Sequence, residues 1–196
     1  MNAGRLPVTV RCFIAIDIGE ETRREIETLI RALRRLGPDL KWLTGGQIHL
    51  TLKFLGNTEE TMVVRIEEAL KAVAAAHRRF TLTAAGTGVF PDYSRPRVLW
   101  IGISGPEELD ILYNDIETAM ERLGYRREAR TFRPHLTIAR VKTQKGLTPL
   151  LRELRGYKER EFGKIEVSEI LLMKSTLKPT GAEYERLFSA ALGKEE

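Results

Sequence analysis

The chain carries one cysteine in 196 residues, Cys12, beside the apolar run "FIAI", so it has no disulfide framework and no cysteine-ligated metal of its own, and a reducing compartment is the default. It also lacks any run of the ~18 apolar residues a membrane helix needs. The opening "MNAGRLPVTVRCF" has neither the apolar core nor the small-residue cleavage site of a signal peptide, so a cytoplasmic protein with no membrane partner is expected. Aromatic residues make up 7% and are scattered, which argues against an RNA-binding module built on a stacking cluster. Glutamine occurs only at Gln47 and Gln144 and asparagine only at Asn2, Asn57 and Asn114, while 30% of residues are charged, a balance that leans toward a thermophilic source.

What is present suffices for a sizeable core, since 42% of residues are apolar. The net charge of +5 suits a polyanionic partner without requiring one. "CFIAIDI" reads as a buried strand. After Gly19, Ile26, Leu29, Ile30, Leu33 and Leu36 recur at helical spacing until Gly37 and Pro38 stop them. Asn57, with Glu60 three residues on, marks a second helix start, and Val63, Ile66, Leu70 and Val73 supply its inner stripe. "FTLTAAGTGVF" and "RVLWIGI" read as strands around the loop "PDYSRP". A third helix opens at Ser104, with Glu107 at the capping-box position, and buries Leu109, Leu112, Ile116, Met120 and Leu123 before Gly124. A strand near "RPHLTIAR", a short helix or loop, a strand "KIEVSEILLMKS" and a closing strand "EYERLFSA" complete the chain, with no linker or low-complexity segment. The pattern predicts an α+β fold with antiparallel pairing, two lobes side by side in a single domain over residues 1–196.

Only three histidines occur, and two of them open nearly the same tetrapeptide, "HLTL" at His49 and "HLTI" at His135. Strand alternation puts Ile48, Leu50, Leu52 and Phe54 on one face and His49, Thr51 and Lys53 on the other. Likewise Leu136 and Ile138 point inward, while Arg133, His135 and Thr137 share the polar face. One such strand means little, because threonine favours strands and a half-exposed histidine is common. Two copies are another matter, since average composition yields such a sequel to a given histidine on the order of once in several hundred. His77 lies outside the pattern near a helix end and reads as structural. A pair of imidazoles can exchange protons with the attacking and leaving oxygens of a phosphodiester, and threonine hydroxyls two residues on can donate to its non-bridging oxygens.

The pair "HLTL" and "HLTI", followed by "KFLG" and "AR", resembles the two H-x-T-x motifs of the two-histidine phosphoesterase superfamily, and within it the RNA 2′,3′-cyclic phosphodiesterases, also called 2′-5′ RNA ligases. The likeness extends to "FIAID", "GVFP", "RVLW" and "MKSTLKPTGAEYE", and so covers nearly the whole chain. It implies a bilobal, pseudo-two-fold-symmetric α+β fold with two antiparallel sheets lining a central cleft, helices outside, and one motif from each lobe. It implies opening of RNA 2′,3′-cyclic phosphate ends to 2′-phosphates, with no cofactor or metal and with tRNA fragments among the candidate substrates. By the same resemblance His49 is the general acid, His135 the general base, and Thr51, Thr137 and Arg140 hold the phosphate. Strict alternation aims Arg140 away from His135, so that role requires a bulge or strand end near Ala139. Lys53 is divided between a cleft-rim role and simple solvation, and Arg97, Tyr93 and Phe13 are left outside the site because their neighbours read as core.

The expected protein is a monomer that hydrolyses RNA ends and performs ATP-independent 2′-5′ ligation as a minor reverse reaction. Three rivals stand beside it: the same site acting on a 2′-5′ oligonucleotide or cyclic nucleotide, a non-catalytic RNA-binding module, and a metal hydrolase. The last is short of the three protein ligands a catalytic zinc usually has.

Overall fold

A computed structural model describes residues 8–37, 40–179 and 181–193. The elements in chain order are β1 (Thr9–Ile16), α1 (Glu20–Arg34), β2 (Lys41–Trp42), β3 (Leu50–Glu59), α2 (Glu60–Ala75), β4 (Phe80–Phe90), β5 (Val98–Ser104), α3 (Glu108–Arg122), β6 (His135–Arg140), α4 (Thr148–Gly156), β7 (Glu161–Val167), β8 (Glu169–Lys178) and β9 (Gly181–Ala191). The strands form one antiparallel array in the order β7-β4-β5-β6-β3-β1-β8-β9, with β2 added on β6. The expected α+β architecture is therefore present as two four-stranded halves, β7-β4-β5-β6 and β3-β1-β8-β9. They meet through one residue pair, Leu50 with Leu136.

One connection shows how the array is curved. A single residue, Ser168, separates β7 at one edge from β8, next to the opposite edge. One residue spans only ~3.5 Å of chain. The ends of β7 and β8 therefore lie together, and the sheet curls into a half-barrel. "KIEVSEILLMKS", expected as one strand, is thus two strands serving different halves, because the backbone leaves one ladder and joins the other at Ser168.

The helices close the convex side. Gly19, at φ 73°, starts α1; Glu20 and Glu21 occupy its first turn and Arg31 and Arg34 its last, each charge complementing the helix dipole. Ile26, Leu29, Ile30 and Leu33 are buried as expected. Leu36 instead lies past the helix end, 40% exposed, and the predicted stop at Pro38 falls outside the described residues. Asn57 does not cap α2, because the β1 ladder holds β3 out to Glu59 and the helix begins directly afterwards. Ser104 is likewise the last residue of β5, paired with Thr83, and α3 starts at Glu108. In both places a strand ladder prevails over a local capping signal.

Alternation along β3 holds through Leu52 and then fails. The β1–β3 register slips between Ile14 and Ala15 and again between Cys12 and Phe13, leaving Leu52 and Leu55 as extra residues. Phe54, expected in the core, is consequently 66% exposed, and Lys53, divided in the sequence reading between a cleft-rim role and simple solvation, is buried. Its ammonium donates to Glu117 Oε1 at 2.7 Å and to the Arg126 carbonyl at 2.8 Å, with both side chains of the ion pair only 4% exposed. Glu117 also accepts the Glu128 backbone N–H at 3.0 Å.

Removing one member of such a pair strands the other charge in low dielectric. Glu117→Ala is expected to destabilise the fold by about 3–5 kcal/mol in urea unfolding, whereas the double change Lys53→Met with Glu117→Leu should cost far less. Equal losses for both would show that the pair's charge is not what matters.

Candidate active site

The Leu50–Leu136 pair sets the geometry of the cleft floor. Both leucines are essentially inaccessible, at 1% and 0%. Alternation therefore turns the residues flanking each of them, His49 and Thr51 on one strand and His135 and Thr137 on the other, to the opposite face. Because the strands run antiparallel, His49 lies toward Thr137 and His135 toward Thr51, related by a local two-fold through the leucine pair. In a regular ladder such diagonal neighbours stand about 7–8 Å apart. Here the β3–β6 ladder stops at this one pair, and the diverging strands open the cleft above it.

All five expected site residues, His49, Thr51, His135, Thr137 and Arg140, line this one cleft of about 1930 Å³. Arg140 reaches it because the β5–β6 register slips between Leu99 and Trp100, leaving Ile138 as the extra residue. Ile138 and Ala139 are consequently both at 0% exposure, and the parity of the strand reverses before Arg140. This is the bulge that alternation required. Among the described residues neither threonine hydroxyl has a partner, so both are free to donate.

His49 is set by the turn before it. The Arg23 guanidinium, held by Asp17, donates to the carbonyls of Gly45 at 2.7 Å and Ile48 at 3.2 Å, and the Gln47 amide donates to the Ala182 carbonyl at 2.7 Å. The Phe13 ring stacks on the imidazole at 4.7 Å, and Tyr184 meets it edge-on at 5.2 Å. Its Nδ1 is buried without a hydrogen-bond partner. Burial between these rings pushes its pKa down to about 4, and Arg23 adds to the shift, opposed by the Asp17 carboxylate and the Gln47 carbonyl.

His135 is held differently. Its Nδ1 lies 2.6 Å from the Arg133 carbonyl, which can only accept, so Nδ1 carries the proton and the neutral ring keeps its lone pair on Nε2. Phe90 packs edge-on at 4.9 Å, backed by Trp100. Burial lowers its pKa and Arg140 lowers it further, against the Arg133 carbonyl. His77, by contrast, does not line the cleft and is buried in a 2.9 Å contact with Asp115, as its structural reading implied.

Phe13, Phe90 and Tyr184 are the site residues that sequence reasoning missed. The neighbours of Phe13 are indeed core, as expected. Its place on His49 comes from the β1–β3 register, which is a tertiary property. Of the other two residues expected outside the site, Arg97 does line the cleft, while the Tyr93 ring lies beneath the Arg155 guanidinium at 4.3 Å.

The charge of the cleft is lopsided. Among the described residues eleven lysine and arginine side chains line it against three carboxylates, an excess larger than the net +5 of the whole chain. The described residues outside the cleft therefore sum to a net negative charge, and the positive charge is concentrated where the two histidines sit. Among the described residues no helix is long and apolar enough to cross a membrane.

Comparison with known proteins agrees with this geometry. Residues 22–178 match the family model of the 2′-5′ RNA ligase superfamily. An RNA 2′,3′-cyclic phosphodiesterase of Archaeoglobus fulgidus is 34% identical over 179 residues, covering 91% of this chain and 98% of that one. The crystal structure of a Thermus thermophilus protein superposes with a TM-score of 0.76 at 26% identity, over 95% of this chain and 100% of its own. That of E. coli LigT in apo form gives 0.74 at 26%, over 94% and 98%.

The lowered His49 pKa has a consequence for stability. Between pH 6.5, where an unfolded histidine titrates, and about 4, where His49 does, the unfolded chain binds the extra proton, so stability falls as pH falls through that window. Urea unfolding of His49→Gln across it is expected to show a flatter acid limb than the unsubstituted protein. An identical limb would contradict the burial of a neutral imidazole.

Proposed function

The chain belongs to the 2′-5′ RNA ligase superfamily, and from that premise we propose that it hydrolyses RNA ends bearing a 2′,3′-cyclic phosphate to 2′-phosphate ends. Its curated relatives are named for this phosphodiesterase activity. The observation that carries the reading is the convergence of both H-x-T stretches, from different halves of the sheet, on one cationic cleft.

In the proposed reaction His135 Nε2 takes a proton from water as its oxygen attacks phosphorus. His49 delivers a proton to the 3′ oxygen as the P–O3′ bond breaks, leaving the phosphate on the 2′ oxygen. The Arg133 carbonyl supports the base role, because it holds His135 in the tautomer with Nε2 unprotonated. The Thr51 and Thr137 hydroxyls donate to the non-bridging oxygens, where charge grows, and Arg140 adds a positive charge. No metal takes part in this scheme. Reversal, with a 5′-hydroxyl replacing water, makes 2′-5′ ligation a minor activity. A monomer comprising one bilobal domain acts on RNA ends, tRNA fragments included.

The acid role asks His49 to carry a proton that its burial disfavours. A bound phosphodiester supplies the missing negative charge and raises the pKa of both imidazoles. The pH profile of kcat is therefore expected to lie at higher pH than that of kcat/KM, each bell-shaped. Coincident profiles would contradict this coupling.

The direct test is incubation of RNA ending in a 2′,3′-cyclic phosphate with enzyme and excess chelator, without nucleotide, followed by identification of the terminal phosphate. A 2′-phosphate is expected; a 3′-phosphate would mean that the wrong oxygen leaves, and inactivity under chelation would defeat the metal-free scheme. His49→Ala and His135→Ala should each lower turnover by about 10²- to 10⁴-fold. Thr51→Ala should cost about 1.5–3 kcal/mol, as for a hydrogen bond to a charged group.

A further inference from the structure

The segment 125–134, between α3 and His135, has no regular secondary structure yet is fastened along its length. The Tyr125 hydroxyl donates to Thr58 Oγ1 at 3.1 Å, the Arg126 carbonyl accepts from Lys53, the Glu128 N–H donates to Glu117, and Phe132 stacks on Tyr113 at 4.0 Å and 8°. Every one of these anchors uses backbone or uncharged side-chain atoms of the segment, leaving its four arginines outward. Arg127 is steadied by Thr118 at 3.0 Å and Glu121 at 3.4 Å. Among the described residues the guanidinium groups of Arg126, Arg130 and Arg133 have no carboxylate partner, the Glu128 carboxylate accepting instead the Arg130 backbone N–H at 3.2 Å, and all three arginines are exposed and line the cleft.

Unpaired guanidinium groups crowded on a short loop repel one another, and a buried ion pair such as Lys53–Glu117 carries a desolvation cost. A loop held rigid on those terms is explained by a ligand that brings several negative charges. One cyclic phosphate brings a single charge, already met by the two threonines and Arg140 in the mechanism above. The cleft is also larger than the roughly 300–1000 Å³ of a small-molecule site. Phe54, 66% exposed in the same cleft, adds the flat apolar face on which an unstacked base rests.

We propose that segment 125–134 is a preformed arm for the backbone of single-stranded RNA upstream of the reacting end, with Phe54 as a base platform, so that the enzyme selects oligonucleotides over cyclic mononucleotides. This inference rests on the hydrolytic reading of the same cleft. Arg126 and Arg130 grip phosphates, the Lys53–Glu117 pair positions their backbone, and the terminal nucleotide reaches the histidines with the strand already held.

The experiment has a binding arm and a kinetic arm. Fluorescence anisotropy follows a single-stranded RNA of about ten nucleotides with a 3′-phosphate, titrated with protein between about 50 and 200 mM salt. Specificity constants are then compared for a 2′,3′-cyclic mononucleotide and an oligonucleotide of that length with a cyclic end. Unsubstituted protein should favour the oligonucleotide. The Arg126→Ala, Arg130→Ala double variant should lose much of that ratio, with its log–log salt slope shallower by about 1.4, or about 0.7 for each arginine. Phe54→Ala should weaken binding by at least about 5-fold at unchanged slope, since stacking releases no counterions. Equal specificity constants for the two substrates, or a double variant with an unaltered slope, would overturn the arm. If RNA binding keeps its arginine-dependent slope while no cyclic phosphate is opened, the arm stands and the hydrolytic reading falls. If cyclic ends are opened and the slope ignores the arginines, the reverse holds.

Discussion

One backbone pairing, Leu50 against Leu136, decides what the rest of the molecule can do. It brings together strands from two halves of the sheet that are distant in sequence. It also buries both leucines, which turns a histidine and a threonine from each strand to the concave side. Because the strands are antiparallel, the two H-x-T stretches approach head to tail, and the histidines become diagonal neighbours across a local two-fold. Extending the ladder would have made a flat sheet at this point. The pairing stops instead, and the diverging strands leave a cleft.

The walls of that cleft couple charge to protonation. Phe13 and Tyr184 enclose His49, and Phe90 encloses His135, so both imidazoles are held below their ordinary pKa by burial. An anion between them reverses this pressure. Arg140 then has two compatible effects under the proposed scheme: it attracts the phosphate and adds to the lowering of the His135 pKa that burial brings about. The Arg133 carbonyl fixes which nitrogen of His135 is available. The concentration of cations in this cleft, on a chain whose other described residues sum to a net negative charge, draws polyanions to the same place.

Much of this was legible in the sequence wherever a local period governs. The duplicated tetrapeptide singled out His49, Thr51, His135 and Thr137, which all line the cleft, and alternation correctly predicted their common face against Ile48, Leu50, Leu136 and Ile138. Local reading failed where strand registers slip. Extra residues in β3 sent Phe54 to solvent and Lys53 into a buried ion pair. The extra residue in β6 brought Arg140 into the cleft, an outcome that required a bulge no periodicity could locate. Ser168, which splits one apparent strand between two halves, has no local signature, because the division is made by which neighbour offers a ladder. Tyr184 escaped for the same reason, since only the β8–β9 register brings that strand against His49.

The central claim is that one anion touches both imidazoles, and NMR observation of the three histidine rings during titration with inorganic phosphate tests it directly. The account predicts that His49 and His135 shift at the same phosphate concentration and that both gain higher pKa values, while His77, paired with Asp115, does not respond. A response from only one of the two motif histidines, or from the two at unrelated phosphate concentrations, would contradict it.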